Sequence, residues 1–212
     1  MTNLNFKLRS VVTIFACLAM CMMFSGCGGS GGGGSKGGGS YKIKITTESG
    51  GDIGFLLSGS GVATVDWGDG SEKVTLTLNE VEYDGHGIVG VRFSHNFPNA
   101  SLRTITINGD NITGLICGGA GGNIESLDVS RCTELKRLVC QGSFSSLDLS
   151  KNTALTHLYC GSEFTSSALN ALFETLNNNP GEKKICIRED VDCDKSIATN
   201  KGWKFDCKSE YY

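Results

Sequence analysis

The segment SLDVSRCTELKRLVCQGSFS at 126–145 is followed directly by SLDLSKNTALTHLYCGSEFT at 146–165. Aligned without gaps, the two segments are identical at 9 of 20 positions. Each contains the pattern L-x-x-L-x-C, which runs from Leu135 to Cys140 and from Leu155 to Cys160. A looser copy runs from Ile112 to Cys117. Repeats of this length indicate stacked units that share one core, because a single unit cannot bury its apolar face alone.

These segments resemble the leucine-rich repeats of Bacteroidetes-type surface lipoproteins, in which LDVSxNTxLxxLxC recurs. In that family L-x-x-L-x-C is a short parallel strand on a concave face, and LDLS returns on the convex side. The resemblance implies an α/β fold, with a short leucine-rich-repeat solenoid and its C-terminal cap at 110–212.

Residues 166–207 predict an α/β C-terminal cap, which also resembles the end of that family. Apolar residues recur at helical spacing between Leu169 and Leu176, and Pro180-Gly181 ends the pattern. A strand is expected at Ile185–Ile187, a short helix at Asp194–Lys201 and a last strand from Trp203.

Residues 41–109 differ from the repeats and predict antiparallel strands. Apolar and polar residues alternate in YKIKI at 41–45 and in VTLTL at 74–78, and VATVDWGDGS at 62–71 contains the hairpin signal Asp69-Gly70. The W-G-D-G turn and the later SHNFPNASLRTITING at 94–109 resemble PKD-type domains. The resemblance implies a small β-sandwich-like cap that packs on the repeats.

The N-terminus has the features of an export signal at 1–26. Lys7 and Arg9 precede a 14-residue apolar stretch from Val11 to Phe24, too short to cross a bilayer. Phe24-Ser25-Gly26-Cys27 resembles a bacterial lipobox, which implies diacylglycerol on Cys27. An ordinary secretory signal with an incidental cysteine is the alternative. The Gly/Ser-rich stretch at 28–40 then predicts that 27–40 is a flexible tether.

Charge and composition exclude two classes of protein. Without Lys7 and Arg9 the chain has 17 basic and 22 acidic residues, a net charge of −5, whereas a general nucleic-acid binder carries a basic excess. The sequence contains no run of about 20 apolar residues, so it predicts no membrane-spanning helix.

Seven cysteines remain after Cys27, an odd number. Cys117, Cys140 and Cys160 occupy one repeat position and are interpreted as a buried ladder, with a disulfide or metal cluster as the alternative. Cys193 and Cys207 follow turns at the same end of the cap and are the expected disulfide. Cys186 is expected to point to the concave face, as an exposed thiol or an alternative partner.

No catalytic motif or metal motif stands out. Asp190-Val-Asp192-Cys-Asp194 has the spacing of a calcium loop, but Lys195 and Lys201 occupy the required Gly and Glu positions. Asp66 and Asp69 are interpreted as turn residues rather than cation ligands. The histidines at 86, 95 and 157 are scattered, and G-x-S-x-G, P-loop and H-E-x-x-H motifs are absent. We expect no metal, no cofactor and no enzymatic activity.

The candidate site is the concave strand face, where outward repeat positions carry basic and aromatic residues. The residues are Lys136, Arg137, Val139, Thr156, His157, Tyr159 and Lys184. Such a face suits an anionic glycan or an acidic protein segment, and a solvated charged surface is the alternative.

The combined expectation is a lipid-anchored outer-membrane protein, on the cell surface rather than the periplasmic face, for adhesion or for protein or glycan recognition. The alternative is a periplasm-facing accessory lipoprotein that binds an envelope partner. The absence of acidic residues between Cys27 and Glu48 favours the alternative, since exported relatives usually carry them there.

Overall fold

The computed structural model describes residues 41–80, 90–118, 122–143, 145–162, 164–188 and 191–207. All of them lie in one compact unit, Gly39–Tyr212. The signal, Cys27 and the tether lie outside the described residues, as do His86 and Asp190. Among the described residues, no helix is long and apolar enough to cross a membrane.

Antiparallel strands form the N-terminal part. They are β1 (Ile43–Thr47), β2 (Gly51–Asp66), β3 (Val74–Thr77), β4 (Val91–Phe97) and β5 (Arg103–Cys117). β2 pairs with β3, β4 and β5, and β1 pairs with the first third of β5. The alternating residues of β1 place Ile43 and Ile45 in the core. The W-G-D-G segment connects β2 to β3, so the predicted hairpin is confirmed.

Parallel strands form most of the C-terminal part. The remaining elements are β6 (Ile124–Asp128), β7 (Arg137–Gly142), β8 (His157–Ser162), α1 (Ser166–Thr175), β9 (Lys183–Ile187), α2 (Ser196–Thr199) and β10 (Trp203–Phe205). The end of β5 pairs with β7, and β7, β8, β9 and β10 follow in parallel order. β6 pairs antiparallel with β1. The helices and strands predicted for the C-terminal cap are confirmed.

The sequence repeat sets the register of the parallel strands. Leu115 lies opposite Leu138, Leu138 opposite Leu158, and Leu158 opposite Ile185. All four side chains are fully buried. A shift by one residue would turn these side chains out of the core, so their burial fixes the pairing.

Asn152 connects one repeat to the next. Its Nδ2 donates hydrogen bonds to the carbonyl oxygens of Val129 at 2.9 Å and Cys132 at 2.8 Å. Cys132 occupies the corresponding repeat position 20 residues earlier, where its thiol donates to the carbonyl of Ile112 instead. The segments between strands are turns, and side-chain donors of this kind satisfy their carbonyls.

The expected α/β leucine-rich-repeat solenoid with a separate β-sandwich-like cap is wrong. Of the residues that the structure describes, 47% lie in strands and 9% in helices, and the strands form one mixed antiparallel and parallel sheet of ten strands. Two features cause the difference. The repeat returns at 129–136 and 149–156 form turns rather than helices, and the first parallel strand is the continuation of an antiparallel one.

β5 joins the two kinds of pairing. Its residues 103–107 pair with β1, and its residues 114–117 pair with β7 on the same edge, while β2 occupies the other edge. The expected boundary at 109/110 falls inside this strand. One continuous apolar core runs from Trp67 and Phe93 in the antiparallel part to Leu158 and Trp203 in the parallel part.

Candidate functional site

Strand alternation divides the sheet residues between two faces. In β7, Leu138 and Cys140 face the main core, so Arg137, Val139 and Gln141 face the opposite side. Residues that are paired across neighbouring strands lie on the same face of the sheet. The face that carries Arg137 is therefore formed by β4, β2, β5, β7, β8, β9 and β10. We call it the outer face.

A row of basic side chains crosses the parallel part of the outer face. Arg137 lies opposite His157, His157 opposite Lys184, and Lys184 opposite Lys204. Neighbouring strands are about 4.8 Å apart, so these four residues span about 15 Å. The first three are half-buried and Lys204 is exposed. We call this set the basic row.

Nearby carboxylates only partly neutralise the basic row. The Nζ of Lys184 lies 3.7 Å from a carboxylate oxygen of Glu182 and 3.8 Å from one of Asp206. Within the part of the chain that the structure describes, Arg137 and Lys204 take part in no ion pair. Ion pairs at this length and exposure contribute little, so an external anion can replace the carboxylates on Lys184.

Thr156 and Lys136 precede the strands and position the imidazole of the row. The Oγ1 of Thr156 lies 3.0 Å from Nδ1 of His157. The carbonyl of Lys136 accepts hydrogen bonds from the amides of Thr156 at 2.9 Å and His157 at 3.0 Å. The side chain of Lys136 is exposed. These contacts fix the ring against the start of β7.

Val139 and Tyr159, which the sequence predicts as exposed ligand contacts, are buried. They are 6% and 7% exposed, and with Cys186 and the half-buried Ile116 they form a small apolar cluster on the outer face. This cluster lies in the row of residues next to the basic row, two positions along each strand. Val139 and Tyr159 therefore stabilise the packing of neighbouring strands and are not accessible to a ligand.

The expected disulfide between Cys193 and Cys207 is replaced by one between Cys186 and Cys207, with a Cα–Cα distance of 4.9 Å. The reason is that the chain continues along β9 after β10: the amide of Asp206 donates to the carbonyl of Ile185 at 3.0 Å. Cys207 therefore reaches Cys186, while Cys193 is a free, half-buried thiol. The bond fastens the last strand beside Lys184.

Cys117, Cys140 and Cys160 form the predicted buried ladder of free thiols. They pair in register across β5, β7 and β8, and the sulfurs of Cys140 and Cys160 are 3.7 Å apart. Burial raises the pKa of the Cys117 thiol, and the contact with Cys160 together with burial raises the pKa of Cys140. Neutral thiols of this kind are apolar core fillers.

The W-G-D-G turn is held by an aspartate–histidine contact. The indole of Trp67 is buried and stacks on His95, with ring centroids 5.0 Å apart. The Nε2 of His95 lies 2.7 Å from Oδ2 of Asp69, whose other oxygen accepts the amide of Ser71 at 3.0 Å. These hydrogen bonds, those of Ser71 first, hold the pKa of the Asp69 carboxyl well below its usual range.

Asp66 also has internal partners. It accepts the amide of Gly68 at 3.0 Å and lies 3.2 Å from the Nζ of Lys73. Both aspartates of the turn therefore stabilise the hairpin, as the sequence predicts.

The described part of the calcium-like segment serves a helix. Asp194 accepts hydrogen bonds from the amide and the hydroxyl of Ser196, at 2.9 and 2.6 Å, at the start of α2. Among the described residues, no group of three or more His, Cys, Asp or Glu side chains is placed to hold a metal ion.

Sequence reasoning misses Lys204 as a member of the basic row. Trp203 and Phe205 alternate as core residues, so Lys204 between them must face outward. Its place beside Lys184 depends on the parallel pairing of β9 and β10, which joins residues 20 positions apart. The alternation in the sequence therefore predicts that Lys204 faces outward. It does not predict that β9 is the strand beside it.

Comparison with known proteins leaves the family open. No family model matches the chain, and neither the curated proteins nor the solved structures gave a match.

Proposed function

We propose that this protein is a lipid-anchored protein of the bacterial envelope that binds an acidic polymer along the basic row. The observation that carries the proposal is the in-register placement of Arg137, His157, Lys184 and Lys204 on adjacent strands. The whole chain has 19 basic and 22 acidic residues, so this concentration of positive charge is not a property of its overall composition.

The spacing of the row favours a ligand with repeated anionic groups. Arg137 and Lys184 lie two strands apart, about 10 Å at the usual strand spacing. Carboxylates or sulfates that recur at about that interval along an extended chain can contact both cations together. Anionic glycans and acidic protein segments share this chemistry. The rigid sheet supplies both cations without a loop having to fold on binding.

Charge–charge attraction at an exposed face is weak for each pair and is screened by salt. We therefore expect binding that depends on several contacts and weakens steeply as salt is raised. Adhesion at the cell surface suits such binding, since many copies of an anchored protein engage one polymer together.

Anchoring through Cys27 is part of the proposal. The lipobox-like sequence before Cys27 and the Gly/Ser-rich stretch after it support an acylated N-terminus with a flexible tether. We place the protein in the outer membrane, facing the cell surface. We propose binding rather than catalysis, because the sequence contains no nucleophile–base motif or metal motif.

One observation favours a second candidate, a periplasm-facing accessory lipoprotein that binds an envelope partner. No acidic residue occurs between Cys27 and Glu48. Protease treatment of intact cells separates the two candidates: loss of the folded part indicates the surface, and loss only after disruption indicates the periplasm.

The binding test uses the full-length lipoprotein in detergent. Polygalacturonate, poly-glutamate and neutral dextran are titrated against the protein and against an Arg137→Gln/Lys184→Gln variant. The matched control is Arg131→Gln/Lys151→Gln, which also removes one arginine and one lysine, both exposed on the repeat returns. We expect a polyanion to bind, dextran not to bind, and only the Arg137→Gln/Lys184→Gln variant to lose affinity. Equal affinity of that variant and the control would contradict the proposal.

A further inference from the structure

A concave feature lies on the outer face, at the antiparallel end of the sheet. It is a pocket of about 620 Å³ between β2 and β4. This volume is within the range of about 300–1,000 Å³ that is usual for small-molecule sites. Its lining includes Asp52, Gly54, Arg92, Ser94, Asn96 and Gly118. We call it the β2–β4 pocket.

The floor of the β2–β4 pocket is backbone. A Cβ on Gly54 would lie 3.1 Å from the carbonyl oxygen of Phe93 and 3.4 Å from Nη2 of Arg92, so the guanidinium lies across this glycine. Gly118 has φ +89°, and a Cβ there would lie 1.7 Å from the carbonyl oxygen of Gln141. Neither position accepts a side chain without displacement of its neighbours.

The wall of the pocket combines hydrogen-bond donors and acceptors. Asp52 lies opposite Asn96, and Nδ2 of Asn96 donates to Oδ1 of Asp52 at 2.6 Å. This leaves the second carboxylate oxygen of Asp52 and the amide oxygen of Asn96 as acceptors. Ser94, opposite Gly54 on the same face, adds a hydroxyl that both donates and accepts.

Arg92 supplies an uncommitted cation. Its guanidinium makes no ion pair with any residue that the structure describes, and its side chain is exposed. A planar guanidinium binds a carboxylate with two parallel hydrogen bonds, which fixes the orientation of the ligand as well as its charge.

We propose that the β2–β4 pocket binds one acidic sugar unit, with its carboxylate on Arg92 and its ring hydroxyls on Asp52, Ser94 and Asn96. Each sugar hydroxyl donates one hydrogen bond and accepts others, which matches the mixed wall. An α-amino acid fits less well. Its ammonium can bind the second oxygen of Asp52, but it has no ring of hydroxyls to pair with Ser94 and Asn96.

The β2–β4 pocket is a site separate from the basic row. Arg137 lies two strands from β2, about 10 Å away at the usual strand spacing, so a single sugar ring in the pocket does not reach the row. The signals of pocket residues in the presence of a monosaccharide therefore report on the pocket separately from the row.

The test titrates galacturonate, galactose and glutamate into the ¹⁵N-labelled full-length lipoprotein in detergent and follows the amide signals of Gly54, Ser94 and Gly118. We expect galacturonate to shift these signals with a Kd of about 1 mM, and the other two to bind at least about tenfold more weakly. Arg92→Gln should weaken galacturonate by about tenfold. Asn96→Ala should weaken it as well, while Arg137→Gln should leave it unchanged.

Three results would overturn the inference. The first is no shift of these signals at about 10 mM galacturonate. The second is galactose or glutamate binding as tightly as galacturonate. The third is unchanged galacturonate affinity in both Arg92→Gln and Asn96→Ala, with unchanged signals elsewhere to show that both variants fold. Loss of polygalacturonate binding in Arg137→Gln/Lys184→Gln bears only on the basic row.

Discussion

The Nε2 of His95 on β4 lies 2.7 Å from Oδ2 of Asp69 in the turn that follows β2. Both side chains are mostly shielded, with 21% and 16% of their surfaces exposed. The contact joins a strand to a turn 26 residues away and places the imidazole on the buried indole of Trp67. The hairpin is therefore closed by a polar contact as well as by its apolar core.

The lowered pKa of Asp69 predicts how the protein responds to acid. A carboxyl whose pKa is lower in the folded than in the unfolded state stabilises the fold above its unfolded value, and this contribution is lost as the pH falls through the folded value. The loss should begin as the pH approaches the ordinary pKa of 3.8 and continue below it.

Asp69→Asn tests this expectation. The free energy of unfolding, measured with urea between about pH 7 and pH 2.5, should be lower for the variant than for the wild type at neutral pH. The two curves should converge as the pH falls. Asp110→Asn, at an exposed position of β5, is the control and should follow the wild type. A constant difference across the whole range would contradict the assignment.

Asn152 predicts a buried polar contribution to stability. Asn152→Ala leaves the carbonyls of Val129 and Cys132 without their side-chain donor in a site that is 1% exposed. Each carbonyl keeps a backbone donor, the amide of Cys132 or of Leu135. The variant therefore loses two hydrogen bonds of about 1 kcal/mol each, and we expect a loss of about 2 kcal/mol in the free energy of unfolding. Asn108→Ala, on an exposed position of β5, is the comparison and should change little. A loss below about 0.5 kcal/mol, the usual size of a surface effect, would show that the contact is not needed.

The disulfide predicts unequal roles for two cysteines of the C-terminal cap. Cys207→Ser removes the disulfide, whose two cysteines have a sequence separation of 21. For a loop of this length, the lost chain entropy of the unfolded state corresponds to about 3 kcal/mol in the free energy of unfolding. Cys193→Ser removes a free thiol and should have a smaller effect. Non-reducing peptide mapping of the wild type should show Cys186 linked to Cys207. A peptide that links Cys193 to Cys207 would refute the pairing.

The position of Lys204 predicts that the ligand contacts the basic row as far as its exposed end. Lys204→Glu reverses the charge at the exposed end of the basic row and should weaken polygalacturonate binding. Because each neutralised charge contributes to the salt dependence, the slope of log affinity against log salt should also become shallower. Lys151→Glu makes the same charge change away from the outer face. If both variants lose affinity equally, attraction to the whole protein rather than to the row explains the binding.

Local patterns predict much of the secondary structure. Leu135–Cys140 and Leu155–Cys160 end in parallel strands, and the helical spacing from Leu169 onward corresponds to α1. The architecture was not predictable in the same way, because Asn108-Gly109-Asp110 in the middle of β5 has the composition of a break between domains. The strand continues through this tripeptide because β2 pairs with β5 on both sides of it. The register of that pairing shifts between Ser60 and Ala63.

The two outer-face sites differ in how far the sequence predicts them. Arg137, His157 and Lys184 are found from the repeat and from strand alternation. The β2–β4 pocket is not, because Asp52 and Asn96 are 44 residues apart and meet only through the pairing of β2 with β4. Glycines at 51, 54, 59 and 61 further lower the strand propensity of β2 in any local reading.

The position of β1 has a mechanical consequence. It is the first strand of the described residues, and it lies between β5 and β6 with antiparallel hydrogen bonds to both. A pull applied through the N-terminus acts along β1, so it must shear both ladders at once instead of peeling one strand from an edge. A ligand bound to the basic row pulls on β7, which is hydrogen-bonded to the C-terminal end of β5. In the anchored, ligand-bound arrangement that we propose, tension therefore passes from β1 to β7 through β5, along hydrogen bonds that are loaded in parallel.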